Sequence, residues 1–454
     1  MKMMHAFITT LAFATLGASP LALAQSTPGQ SLSVALYPFV PRAEQFQDAL
    51  TAEWKKQRPD VTLKFITDFE KWDGGYKKNP PPDADVFVFD ATYFEQFRAN
   101  KLLEPMTAAE VANPDDLVEY AKAGVKVGDM FYAIPQLGCA NLLFYRKDDA
   151  PLAAAKTLGD VNRALGQCSY GSKIPPDRRG LMLDMNGGTT NALLYLDVDH
   201  SMMNVYPFGL PQSLNQGTFG YLKTLMMMAS MDNARADVSL PYGRALWFSN
   251  GWGRALMAYS ESMSVMSEET RNNIDFKPMP FTDKGTRPLF YSDVIGVNPA
   301  TQARGTRALA VQLANVMAST ATMVASIGPD SGSQVPQYLM PARHSVFQSM
   351  AATFPIYGKM YAMLQQANPR MYKAPDGVRA WAAQMKEPIV SIEQGNYACG
   401  CDKESATALN AGNAPAVCAA ACADSGGWSG KWTNQFPAAP FGKAACGCKA
   451  CGIK

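Results

Sequence analysis

Cys139 lies in the stretch Ile134–Lys147 and is one of only two cysteines, with Cys168, outside a cysteine-rich C-terminal segment. A second stretch, Gly253–Met263, carries a carboxylate, Glu261, close to an aromatic residue, Tyr259. A thiol and a carboxylate in one cleft suit covalent catalysis, with sulfur as nucleophile and the carboxylate as general base. A thiol needs a base or a positive environment to become thiolate. The chain has three histidines, His5, His200 and His344. None lies in a recognisable catalytic motif, which argues against a Cys–His protease. Glu261 is the better base, provided that burial against aromatic walls raises its pKa. Tyr259, two residues earlier on a strand, would face the same side and supply such a wall. The plainer alternatives are a solvent-facing or ion-paired Glu261 and an inert, buried Cys139.

The surrounding pattern alternates strands and helices. Ser31–Tyr37 reads as a strand ending at Pro38, and Pro41–Trp54 as a helix with Phe46, Leu50 and Trp54 on one face. Val61, Leu63 and Phe65 alternate with polar residues as a strand does. Ala84–Asp90 is a continuous apolar run suited to a parallel strand buried on both faces, and Tyr93–Leu103 follows as a helix. Such alternation predicts a parallel α/β sheet, and ligands of open α/β sheets gather beyond the carboxyl ends of the strands. Tyr37 and Asp90 occupy such ends. Their plainer readings are a buried tyrosine and the N-cap of the following helix.

Residues from about 148 to 285 change character and read as a second lobe. Within them Gly187–Thr190 precedes the apolar Ala192–Leu196, and Leu225–Met231 reads as core or cleft packing rather than a metal site. Pro288–Val297 and a helix over Arg307–Met317 return to the first lobe, and helices between about 336 and 392 are expected to close the second. The lobes are thus expected over about 30–138 with 288–335, and about 139–287 with 336–392.

Residues 1–24 read as a secretory signal: Lys2, the apolar Ala6–Gly17, then the small-x-small Ala22–Ala24. The mature protein is expected to start at Gln25 and to be secreted or periplasmic, with no membrane span. Lys and Arg exceed Asp and Glu by 41 − 39 = 2, without a long basic run, so nucleic acid is a poor partner. No signal for an oligomer is visible, and a monomer is expected. From residue 393 the composition shifts to Gly, Ala and Cys, and seven of the nine cysteines lie there. A segment so poor in core-forming residues needs staples, and export favours disulfides. If Cys168 pairs with a tail cysteine, eight cysteines form four bridges and Cys139 stays free.

Several stretches, in order, resemble thiaminase I (thiamine pyridinylase), a family with periplasmic-binding-protein architecture. They are Tyr37–Pro41, Asp85–Asp90, Cys139 with Asn141–Lys147, Gly187–Thr190, Tyr259–Met263, Leu289–Val294, Ala314–Ser319 and Pro336–His344. The resemblance implies an α/β, bilobal, type II binding-protein-like fold with two lobes around a cleft, here with a cysteine-rich C-terminal appendage. It implies Cys139 as nucleophile, Glu261 as acid/base, and a thiamine site lined by Tyr37, Asp90, Tyr242, Tyr259, Tyr291 and Asp293. The implied substrates are thiamine and an organic base or thiol, without cofactor or metal. Phe39 in place of Tyr, small residues at Gly138 and Ala140, and the tail itself depart from the family pattern. The rival reading is an exported thiamine- or pyrimidine-binding protein for an importer, which would need the tyrosines and aspartates but neither a reactive Cys139 nor Glu261.

Overall fold

A computed structural model describes residues 29–166, 180–229, 234, 242–394, 402–436 and 442–449. The strands of the body are β1 (Ser31–Ala35), β2 (Thr62–Ile66), β3 (Val86–Asp90), the short β4 (Lys126–Val127) and β5 (Met130–Phe131), β6 (Ile134–Cys139), β7 (Leu142–Arg146), β8 (Leu181–Met182), β9 (Ala255–Ala258), β10 (Ile274–Pro278), β11 (Leu289–Val297), β12 (Met340–Pro341) and β13 (Arg370–Met371). The tail adds β14 (Lys403–Ser405), β15 (Trp428–Phe436) and β16 (Lys443–Cys448).

The first sheet runs β12-β6-β11-β3-β1-β2, with β13 paired to β11. β1 is parallel to both β2 and β3, as strand-helix alternation predicts. The five residues of β3 are all buried, which accounts for their unbroken apolar run. The sheet is not wholly parallel, however: β11 runs antiparallel to both β3 and β6. β11 enters from the second lobe after Pro288 rather than through a helical crossover, so nothing imposes the parallel sense on it. Consequently the carboxyl ends of β1, β3 and β6 share one edge with the amino half of β11.

The second sheet runs β10-β7-β9-β8. The chain passes from the first sheet to the second between Cys139, which ends β6, and Leu142, which begins β7. It returns between β10 and β11. Residues 336–392 divide between the lobes rather than closing the second alone. β12 pairs with β6, and the His344–Ala351 helix packs on Thr320–Ile327. The Val378–Gln394 helix packs on Gly188–Met203. The short β12 belongs to the first sheet because its backbone completes the exposed side of β6.

Boundaries follow local chemistry. The Arg307–Met317 helix is as expected, whereas Tyr93–Leu103 yields a three-residue 3-10 turn over Ala91–Tyr93 and a helix only to Ala99. Leu225, Met226 and Met228 are buried on the Gln216–Met228 helix, as core packing requires. In the tail, the order β14-β16-β15 carries the Ala414–Ala421 helix on one face. Cys418–Cys446 and Cys422–Cys448 staple that helix to β16. Spacings of four on the helix and two on the strand each put both sulfurs on one face. The proposed partnership of Cys168 falls outside the described residues.

Candidate active site

Two strand registers assemble the site. In the first sheet Tyr291 lies opposite Cys139, and Asp293 opposite Asp90. Directly opposed residues share a face, and so do residues two apart on one strand. Tyr291, Asp293, Cys139 and Asp90 therefore lie on one face of the sheet, at its carboxyl edge. In the second sheet Leu142 lies opposite Ala258. Cys139 is three residues before Leu142 and Glu261 three residues after Ala258, so this pairing draws thiol and carboxylate together from the two sides of the crossing.

Tyr259 and Glu261 do not sit on a strand. Tyr259 is extended, but Glu261 lies in a 3-10 turn over Ser260–Val265. The turn buries Glu261 to 6 % exposure, as strand alternation would not have done beyond the end of β9. Burial raises Glu261 to about 7, opposed by its backbone and Ser260 hydrogen bonds. The Ser260 hydroxyl donates to Glu261 Oε2 at 3.5 Å. Glu261 is thus neither solvent-facing nor among the described ion pairs.

Cys139 is the free cysteine of the described residues and is half-buried. Its thiol is pushed well up, first by burial and then by the charges of Glu261, Asp293 and Asp90. Burial likewise raises Asp90, and raises Asp293 well above the usual carboxylate range with help from Asp90 and Glu261. Among the described residues, no lysine or arginine figures in the electrostatics of these three carboxylates. Among the described residues, the cleft is thus acidic.

Tyrosines line it. Tyr259 meets Tyr291 edge to face with ring centres 6.0 Å apart, and Tyr291 stacks on Tyr372 at 4.6 Å. Tyr242, in the left-handed conformation at φ 55°, opens the Gly243–Ser249 helix. Its hydroxyl is pushed up by burial, then by the charges of Glu261 and Cys139. Tyr37 hydrogen-bonds Tyr76 at 3.1 Å, and the Tyr76 hydroxyl donates to Asp90 Oδ2 at 3.1 Å. Asp90 is also the N-cap, its Oδ1 accepting from the Thr92 N–H at 2.8 Å. The N-cap reading of Asp90 therefore holds, for the 3-10 turn Ala91–Tyr93, while its other carboxylate oxygen faces Tyr76.

All eight sequence-predicted residues fall in this one constellation. Tyr76 and Asp197 escaped sequence reasoning. The signal for Tyr76 was the Gly74–Gly75 pair before it: a Cβ on Gly74 would lie 2.6 Å from the Tyr37 ring, so glycine lets this loop close on the site. Asp197 is 2 % exposed and is raised by burial to about 7, opposed by a hydrogen bond from Asn141. Gly138 also finds a reason, since a Cβ there would lie 2.1 Å from the Tyr120 hydroxyl. That hydroxyl donates to the Tyr291 carbonyl at 3.5 Å. Among the described residues no group of His, Cys, Asp and Glu is arranged to hold a metal ion.

A family described as the Thiaminase-1 domain matches residues 140–282. The chain is 34% identical to thiaminase-1 of Paenibacillus thiaminolyticus over 365 residues, 79% of this chain and 87% of that protein. Thiaminase I of Clostridium botulinum, solved in complex with thiamin, superposes with a TM-score of 0.76 at 34% identity, covering 80% of this chain and 100% of that one. The GacH receptor of Streptomyces glaucescens superposes with a TM-score of 0.55 at 15% identity, covering 81% and 92%, a likeness of fold alone. The fold is thus the bilobal, binding-protein-like α/β architecture. With this identity sustained across most of both proteins, the chain belongs to the thiaminase I family.

Proposed function

We propose that this chain, a thiamine-degrading transferase by its family, replaces the thiazole of thiamine with an organic base or thiol through a covalent bond from Cys139 to the pyrimidine. One observation carries the assignment of residues: a free thiol and a carboxylate raised to about 7 share a tyrosine-lined acidic cleft. In the ligand-free cleft, burial and three carboxylates disfavour a thiolate. A thiazolium cation offsets those negative charges on binding, and a good contact with a tyrosine face adds ~1–2 kcal/mol. The substrate's own charge therefore favours ionisation of the nucleophile.

Asp90 and Asp293 hydrogen-bond the amino group and a ring nitrogen of the pyrimidine, and a bond from the amino group to an ionised carboxylate is charge-assisted and stronger than a neutral one. Glu261 takes the Cys139 proton as sulfur adds to the ring. The bond from the methylene carbon to the thiazolium nitrogen breaks, its electron pair staying on nitrogen, and neutral thiazole leaves. The incoming base or thiol then attacks the methylene carbon, a thiol or an aniline losing its own proton to solvent as it does so. The carbon–sulfur bond breaks, and Cys139 recovers a proton from Glu261. A purely solute-binding role is not favoured, because it leaves Cys139 and Glu261 without a task.

We further infer export. The leader-like residues 1–24 lie outside the described residues, but the two tail disulfides suit an oxidising compartment. The test of function is chromatographic: thiamine with pyridine, aniline or a thiol is incubated with wild type, Cys139→Ser and Glu261→Gln. The expected result is a pyrimidine–base adduct from wild type, with turnover abolished in the first variant and strongly reduced in the second. Intact thiamine with wild type, together with tight binding, would overturn the proposal.

A further inference from the structure

Between the last residue of β6 and the first of β7 only Ala140 and Asn141 lie outside a ladder, and this short crossing directly follows Cys139. Before it, the backbone is held on both sides by β11 and β12. After it, β7 lies between β10 and β9. Ala140 is packed into the main core, whereas Asn141 is only partly buried. A cavity of about 670 Å³ reaches the crossing, with Ala140, Asn141, Asp197, Phe290 and Met363 among its lining. Beside such an opening, hydrogen bonds add to packing in fixing the backbone.

Two bonds hold Asn141. Its carbonyl accepts from the Met279 N–H at 2.8 Å, which continues the β7–β10 ladder. Its side-chain Nδ2 donates to Asp197 Oδ2 at 3.3 Å. Asp197 stands on the Gly188–Met203 helix, a rigid element packed by Val378–Gln394 on another side. A carboxylate this deeply buried is costly unless it is hydrogen-bonded or protonated, and Asn141 supplies the hydrogen bond. Asp197 is not among the described ion pairs, and the active-site rings of Tyr259, Tyr291 and Tyr372 all feel its charge.

We infer that Asn141 and Asp197 form a positioning strap, tying the crossing to the second-lobe helix so that Cys139 Sγ is held in line with the bound pyrimidine. Neither residue is catalytic; each acts through the placement of Cys139. The inference rests on Cys139 being the nucleophile. A displacement of about 1 Å in a reacting group costs on the order of 100-fold in rate. Loss of a strap that leaves both ladders intact falls below that, about 10-fold.

The experiment compares full-length wild type with Asn141→Ala, Asp197→Ala, Asp197→Asn and the double variant Asn141→Ala/Asp197→Ala. It reads kcat and KM for thiamine, the rate of Cys139 alkylation by iodoacetamide, and the melting temperature. Each alanine variant is expected to lose about 10-fold in kcat with KM within about twofold, and to alkylate at an altered rate. Because the pair acts as one unit, the double variant falls no further than the worse single one, rather than about 100-fold. Asp197→Asn keeps an oxygen that accepts from Asn141 and stays within about threefold of wild type. Unchanged kcat and alkylation in Asn141→Ala, whatever its melting temperature, overturns the strap; so does a multiplicative double variant. If Asp197→Ala fails to fold, Asn141→Ala and Asp197→Asn still decide. Full turnover by Cys139→Ser would instead defeat the nucleophile assignment, leaving the two failures distinguishable.

Discussion

The tail and the cleft use the same side chain in opposite ways. In the tail, Cys418 and Cys422 are four apart on a helix while Cys446 and Cys448 are two apart on a strand, so two sulfurs on each element face two on the other. In the cleft, Cys139 stands opposite Tyr291, with Glu261, Asp293 and Asp90 as its charged neighbours. The tail sulfurs sit in a small core with Leu409 and Ala414, and their pairing takes the place of aliphatic packing. Cys139 borders a large core that needs no staple. Whether a cysteine is structural or chemical is thus decided by what the fold sets against it, helix sulfurs in the tail and a tyrosine with carboxylates in the cleft. Substitutions at the two places should separate cleanly, one abolishing chemistry and the other only stability.

The largest effect is expected at Cys139. Cys139→Ser, which keeps the shape but replaces sulfur with a much weaker nucleophile, should lower kcat by about 10³-fold or more while thiamine binding stays within a few-fold. Isothermal titration with thiamine and single-turnover kinetics check both halves. Next comes Glu261→Gln, expected to lose about 10²- to 10³-fold in kcat. The base must be ionised, so wild-type kcat/KM should rise as pH increases through about 7. That rise should vanish from the pH profile of Glu261→Gln, and its persistence would move the base elsewhere.

The same burial that readies Glu261 makes stability depend on pH. Glu261 is raised from an ordinary 4.5 to about 7, and Asp197 from 3.8 to about 7. Each group binds its proton more tightly folded than unfolded, so the folded state loses stability as pH rises from about 4 to about 7 and no further above. For Glu261 the loss amounts to roughly 3 kcal/mol. Glu261→Gln should therefore melt higher than wild type at pH 8, with the gap closing near pH 4.5. Thermal unfolding of both proteins across that range checks it, and an unchanging gap would place the carboxylate in a more polar setting than the cleft shown here.

Much of the site was legible because its parts are local. Tyr37 and Asp90 end strand-like runs and Cys139 stands apart from the tail cysteines, whereas Tyr242, Tyr291 and Asp293 came from the resemblance to thiaminase I alone. What was not legible is pairing at a distance. The antiparallel sense of β11 decides which residues oppose Asp90 and Cys139, and no pattern within β11 announces it. Tyr76 was hidden because its importance depends on a loop folding back onto the ends of β1 and β3, with only its two glycines as a sign. Asp197 looked like one polar residue in an apolar helix, and the crossing it faces lies 56 positions away in sequence. Tyr259 and Glu261 were placed together for the wrong local reason: a 3-10 turn, not a strand, buries the carboxylate.

The smallest effect on activity is expected from the tail. Removing one staple by Cys418→Ser with Cys446→Ser opens a loop spanning 28 positions, worth at most about 3.5 kcal/mol by chain entropy and less while the overlapping bridge remains. That loss should fall on the tail, whose buried residues form a cluster separate from the main core. The remaining Cys422–Cys448 bridge holds the same helix to the same strand. Turnover of thiamine should stay within about twofold of wild type, while limited proteolysis after residue 402 becomes faster. A fall in kcat without faster proteolysis would mean that the tail bears on the cleft, and the division between structural and chemical cysteines would have to be redrawn.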